Sequence, residues 1–132
     1  MNTKLENAIS WLKRWQIAHK GDTKSRCLEA VRFALRQEDL KLPDIPEVID
    51  LAMNNGLVLL QTPAKYGWRQ IHSPLTEPCL VYFKGCGKLK DGRIAGHVAI
   101  LDPKSGKHYA NFTGKWSKWW SDRIICAFVP AK

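Results

Sequence analysis

Cys27 and His97 are the residues of this chain whose types and settings best suit a chemical reaction. Cys27 lies in Ser25-Arg26-Cys27-Leu28-Glu29-Ala30-Val31, where a loop turns into a helix, and His97 opens the apolar run His97-Val98-Ala99-Ile100-Leu101. A cysteine attacks as its thiolate, and its ordinary pKa of about 8.5 leaves only a small fraction ionised at neutral pH. Positive potential corrects this. A helix N-terminus supplies part of it, and a histidine that accepts the thiol proton supplies the rest, later returning that proton to a leaving amine. The chemistry that fits is attack on an amide carbonyl. A third polar side chain must hold the imidazole. Asn111 is placed for that, because ordinary hairpin pairing after His97 sets the two residues on neighbouring strands. Asp102 is the other candidate, although an Asp before Pro usually serves turn chemistry.

The elements that must position these residues can be read from periodicity. Thr3-Lys4-Leu5-Glu6 has the spacing of a capping box, and Leu5, Ala8, Ile9, Leu12 and Trp15, with Trp11 beside them, recur at helical spacing to about Ala18. Gly21 and Asp22 break that helix. Ser25 or Thr23 can cap a second one running to about Gln37, with Cys27, Ala30, Val31 and Ala34 on one stripe. Pro43 and Pro46 mark the next boundary, with Asp44 as a cap, Pro46 in the first turn of a third helix and its end near Asn55-Gly56. Leu57 to Gln61 is ambiguous between helix and strand. After Pro63 the segments 79–83, 97–101, 108–112 and 124–129 are rich in β-branched and aromatic residues, and Asp102-Pro103-Lys104-Ser105-Gly106-Lys107 reads as a hairpin loop. Helices first and an antiparallel sheet afterwards predict an α+β fold.

The 132 residues suit one domain spanning 1–132, long enough to bury roughly two-thirds of the surface of the unfolded chain. The net charge of +9 calls for an anionic partner such as a cell wall, a membrane surface or nucleic acid. No run approaches the roughly 18 apolar residues of a membrane span. Nor does a cationic leader followed by an apolar stretch open the chain, so synthesis in the cytoplasm without a signal peptide is expected. Cys27, Cys79, Cys86 and Cys126 lack zinc-ligand spacing and read as free thiols.

Five segments in order resemble the CHAP family of papain-like cysteine, histidine-dependent amidohydrolases/peptidases: Cys27-Leu28-Glu29-Ala30-Val31, Glu77-Pro78-Cys79-Leu80-Val81-Tyr82-Phe83, Gly96-His97-Val98-Ala99-Ile100, Asn111-Phe112 and Ala127-Phe128-Val129-Pro130. The resemblance covers about Ser25 to Pro130. It implies a papain-like fold, peptidoglycan as the substrate, and Cys27, His97 and Asn111 as nucleophile, acid/base and orienting residue. No metal or organic cofactor is implied. The scissile bond would be an amide of the stem peptide, or the one joining muramic acid to L-alanine. A basic chain of this kind looks like a phage endolysin released by a holin, or like an amidase toxin injected into a rival bacterium, acting in either case as a monomer on the cell wall. Two departures stand out. Ser25-Arg26 replaces the Gly-Gln that often precedes the nucleophile, and Tyr109 stands where many members carry Glu.

Each residue also has a plain structural role open to it. Cys27 fits a helix's inner stripe as packing, His97 a satisfied core position, and Asn111 a strand-end hydrogen bond. His72 and His108 read as ordinary loop and strand residues, and His19 as a cation at a helix C-terminus. The segment from Gly114 to Arg123 interleaves Trp116, Trp119 and Trp120 with Lys115, Lys118 and Arg123. That pattern suits a lip touching sugar rings, an anionic wall or, transiently, an anionic membrane, with Trp116 and the loop aromatic Trp68 as candidate substrate-binding residues; it also suits tryptophans that cap a core. A non-catalytic nucleic-acid binder would use the same basic and aromatic surface, but the chain carries no familiar DNA- or RNA-binding motif, so no nucleic-acid partner is expected. The same fold acting on a protein or isopeptide bond is the third reading.

Overall fold

The helical stripe of Leu5, Ala8, Ile9, Leu12 and Trp15 is buried as its spacing requires, on helix α1 (Thr3–Ala18). The computed structural model describes residues 3–46, 51–85 and 91–131. Helix α2 (Cys27–Arg36) buries Ala30, Val31, Ala34 and Leu35 and packs on both α1 and the strand that begins at His97. The two alanines let its axis come close to that strand.

The strands are β1 (Trp68–Ile71), β2 (Cys79–Phe83), β3 (His97–Asp102), β4 (Lys107–Tyr109), β5 (Thr113–Lys115) and β6 (Ile124–Pro130). They form one sheet in the order β1-β6-β2-β3-β4-β5, antiparallel throughout. The fold is α+β, as expected from helices preceding strands. Every residue of β2 is buried, which explains why it reads as an unbroken apolar run rather than as an alternation. The hairpin between β3 and β4 is closed by Asp102: its carbonyl accepts from Gly106 N–H at 3.0 Å, and its carboxylate accepts from Lys104 N–H at 3.1 Å.

Several expectations are corrected. Pro43, Asp44 and Pro46 lie in non-helical chain, and residues 47–50, over which the expected third helix would have run, lie outside the described residues. Helix α3 spans Ala52–Gln61 with Leu51 at its N-cap position, so the ambiguous residues 57–61 are helical and Asn55-Gly56 lies inside. The Asn-Gly stop signal is overridden by packing. A Cβ on Gly56 would stand 2.6 Å from Tyr82 Cγ, so α3 approaches β2 only because this residue has no side chain. Asn55, fully buried, donates from Nδ2 to the Pro43 carbonyl at 2.8 Å and accepts from the Tyr82 hydroxyl at 2.8 Å. Helix α2 lacks the expected cap by Ser25 or Thr23: its N-cap is Arg26, with no side-chain cap bond. Segments β1 and β5 and the one-turn helix α4 (Lys118–Ser121) were not foreseen. Cys86 lies outside the described residues.

Gly56→Ala weighs two opposed effects. Alanine in place of glycine inside a helix contributes about 1 kcal/mol, whereas forcing a methyl into a filled core costs about 1–3 kcal/mol. The contact falls on the root of the Tyr82 ring rather than on a flexible tip, so the clash dominates. The expected outcome is a Tm lower by about 3–8 °C in a thermal melt; an unchanged or raised Tm would show that the α3–β2 contact is looser than described.

Candidate active site

The loop leading to Cys27 is held by its own charges. Ser25 adopts a left-handed conformation at φ 61°, which turns the chain into α2. Arg26 donates from Nη1 to the Asp22 carbonyl and carboxylate, each at 2.9 Å, and from Nε to Glu29 at 3.1 Å, with a second, short contact between Nη2 and Glu29. Its guanidinium also stands 5.2 Å above the Trp15 ring. The hydrogen bond from Arg26 holds the Glu29 carboxyl below its ordinary range. Cys27, the first residue of α2 and half-buried, thus receives the positive end of the helix from a rigid turn whose arginine is already balanced by two carboxylates.

Cys27 lines a cleft of about 1100 Å³, together with Ser25, Arg26, Leu51, Ala52 and Ala95 among others. Ala95 leads to the histidine. Its carbonyl accepts from Met53 N–H at 2.8 Å, and Gly96 follows at φ 73°. A Cβ there would lie 2.7 Å from both Met53 Cβ and the Phe83 carbonyl oxygen. The Gly-His pair therefore has a steric cause: only glycine lets the start of β3 pass between α3 and the end of β2.

His97 is 6% exposed, with rings on several sides: Phe112 stacked at 5.4 Å, Trp120 at 5.1 Å and Phe83 at 5.7 Å between centroids. Burial, with a smaller effect from His108, pushes its pKa down to about 3. Its Nε2 is buried without a hydrogen-bond partner. Asn111 sits in the turn between β4 and β5 rather than on a strand. Its Nδ2 donates to the Thr23 carbonyl at 2.8 Å, tying this turn to the loop that carries Cys27, while its Oδ1 is buried and unpaired. The next residue, Phe112, is the one stacked on His97. The structure thus ties Asn111 to the Cys27 loop and sets its neighbour against the His97 ring. Nε2 of His97, a donor when it carries the ring proton, and Oδ1 of Asn111, an acceptor, are each buried and each lack a partner.

Other expectations fare differently. Trp68, expected to line the cleft, is a core residue 1% exposed; its indole N–H donates to the Lys41 carbonyl at 2.7 Å, so it has no surface for substrate. Trp116 is half-buried, 5.8 Å from Phe83 and 6.1 Å from His108, and belongs to the ring cluster around the histidines. Trp119 is the outward tryptophan, 49% exposed under the Arg123 guanidinium at 3.7 Å. His19 lies just beyond α1, stacked 4.1 Å from Trp15 and bonded through Nδ1 to its carbonyl at 2.9 Å, as a residue closing a helix would be. Asp102 serves the hairpin turn. Cys79 and Cys126 are buried, and burial pushes both thiols up to about 12, which leaves them protonated and inert.

His108 was missed. It is fully buried with both ring nitrogens unpartnered, 6.1 Å from His97 and 4.4 Å from Trp120. Gly114 makes room for it, since a Cβ there would meet the His108 ring. Burial lowers its pKa to about 4. The signal lay in Gly114 and the aromatic run after it, which gain meaning only once the strands are paired. Among the described residues no group of three or more His, Cys, Asp and Glu could hold a metal ion.

No protein-family model matches the chain, and no curated protein matches it. It is similar in fold to a chain in the crystal structure of the type VI native effector-immunity complex Tae3-Tai3 from Ralstonia pickettii, at a TM-score of 0.57 and 17% sequence identity, covering 96% of this chain and 93% of the other.

The two buried histidines set a pH dependence. In the unfolded chain each takes up a proton near pH 6.5, whereas in the fold His108 resists to about 4 and His97 to about 3. Between these limits the unfolded state binds more protons, so stability falls as pH falls, by about 1.4 kcal/mol per pH unit for each histidine. Urea titrations from pH 7 to 4 should show this loss, and His108→Phe should remove about half of the histidine contribution to the slope. An identical slope in wild type and variant would mean that His108 is hydrated or paired in solution.

Proposed function

We propose that this protein is a peptidoglycan amide hydrolase that works through Cys27, His97 and Asn111. The carrying observation is a thiol at the first residue of a helix, on the wall of a large cleft that is also lined by Ala95, two residues before His97. The likeness in fold to a chain of an effector-immunity complex favours a protein delivered into a rival cell over a holin-released endolysin. The same complex also contains an immunity protein, and an immunity role is the competing reading; a thiol at the start of a helix on the wall of a large cleft favours the effector side.

The reaction runs in two halves. The Cys27 thiol gives its proton to His97 as sulfur bonds to the amide carbonyl carbon. The C–N bond then breaks, the amine leaves with the proton from His97, and the acyl group remains on sulfur as a thioester. Water next loses a proton to His97 and attacks the thioester carbonyl, and the thiolate departs to regain that proton. The dryness of His97 shapes the first half. A ring so readily stripped of its proton is a weak base until a thiolate forms beside it, so proton transfer accompanies attack instead of resting as a preformed ion pair. Asn111 would fix the ring by taking its Nε2–H on the vacant Oδ1, and the Thr23 tie holds the amide in place for this. The N–H of Cys27 is a candidate donor to the oxyanion.

Purified sacculi incubated with the protein, followed by mass analysis of the released fragments, test the reading. Wild type should release new amine or muropeptide termini. Cys27→Ala and His97→Ala should lower the rate more than about 1000-fold, and Asn111→Ala by about one to two orders of magnitude. Sacculi left intact by wild type while a control hydrolase digests them would overturn the proposal, and activity surviving Cys27→Ala would overturn the mechanism.

A further inference from the structure

We propose that the cleft running from Cys27 along the outer face of α2 is a binding site for a carboxylate-bearing peptide strand, with Arg14 and Arg36 as its carboxylate anchors; this rests on the hydrolase reading for its biological occupant, the acidic stem peptide of the wall. Four arginines, Arg14, Arg26, Arg32 and Arg36, line the cleft against one carboxylate, Glu29. Two of the four are already committed. Arg26 is balanced by Asp22 and Glu29, and Arg32 donates to the Pro43 carbonyl at 2.9 Å.

Arg14 and Arg36 differ. Among the described residues neither forms an ion pair, and both are exposed. Arg14 lies over the Trp11 ring at 5.1 Å, which orients its guanidinium without neutralising it. Glu38, the acid within reach of that corner, is turned to Asn7 Nδ2 at 3.0 Å and to Trp11 Nε1 at 3.2 Å. The local carboxylate is thus spent on neutral donors while two cations stand open to the cleft. Trp11 and Phe33, edge to face at 6.3 Å, supply an apolar wall between them, suited to the side-chain methyls and methylenes of a short peptide.

The length also fits. Arg36 lies nine residues beyond Cys27 on the same helix, about 14 Å at the helical rise, which is the reach of about four extended peptide units. A strand with its scissile carbonyl at Cys27 would therefore bring a carboxylate a few residues away to the cationic end of the cleft. Guanidinium suits that task, since its planar fork meets a carboxylate through two parallel N–H donors.

The test is isothermal titration of Cys27→Ala protein with two probes: a synthetic stem tetrapeptide of L-alanine, γ-D-glutamate, diaminopimelate and D-alanine, and the same peptide with its carboxylates amidated. The acidic probe should bind about tenfold more tightly, and adding Arg14→Gln and Arg36→Gln should bring the two probes to within about twofold. Both arginines are exposed, so an unchanged thermal melt is expected to confirm folding. Equal binding of the two probes, or a preference that persists without the arginines, would overturn the assignment. A preference for the acidic probe in a protein whose wild type digests no sacculi would keep this site and sink the hydrolase reading; digestion without any charge preference would do the reverse.

Discussion

The packing of α2 against β3 is the constraint on which the site depends. Cys27 and His97 are seventy residues apart in sequence, and neither carries information about the other until a helix and a strand are pressed together. Ala30 and Ala34, both fully buried, leave the helix room to approach the strand. Gly96 serves a second contact, letting the start of β3 pass α3 and the end of β2 where any Cβ would strike Met53 and Phe83. A third link closes the corner, from the Asn111 amide to the Thr23 carbonyl. Three different devices, small helix residues, a glycine in a positive-φ conformation and one side-chain-to-backbone hydrogen bond, therefore fix the segments that carry Cys27, His97 and Asn111.

Much of this was legible in the sequence, for physical reasons that can be traced. Helix α1 ends at Ala18 as its apolar stripe does, and β2, β3 and β6 lie where β-branched and aromatic residues cluster, because burial periodicity is local information. The β3–β4 hairpin was readable from its Asp-Pro and Gly. What escaped was set by long-range contact. The Asn55-Gly56 pair looks like a helix stop, yet Asn55 finds Pro43 and Tyr82 as partners and Gly56 admits the Tyr82 ring. Trp68 looks like a loop aromatic, yet β1 pairs with the end of β6 and carries it into the core. His108 looks like any strand residue until Gly114 opens a space for its ring.

Asn111 shows an intermediate case. The placing of its segment beside His97, where Phe112 stacks on the ring, was readable from hairpin geometry, whereas the place of Asn111 in a turn was not, and the turn matters. A strand residue would point squarely to one face of the sheet. In the turn the amide instead reaches sideways to the Cys27 loop, so one end is fixed by Thr23 and the other is left facing the interior. A buried acceptor without a donor is costly, and the same is true of the buried Nε2 of His97. The cost of both would be removed together if the ring and the amide met.

The two halves of the site also divide the electrostatic work. Around His97 the protein is dry and aromatic, which weakens the imidazolium and ties protonation of the ring to the appearance of a neighbouring negative charge. Along α2 the surface is wet and cationic, with guanidiniums exposed to solvent and therefore strong in attraction but modest in net binding energy per contact. Positive charge placed beside His97 would lower its proton affinity further, whereas a cation at the far end of a helix is separated by many ångströms and by water that screens it. Arg26 adjoins Cys27 in the chain, and its charge is compensated by two carboxylates. Under the proposed function, this distribution would keep attraction for an anionic chain away from the atoms that exchange a proton, so that binding and chemistry would rest on different groups.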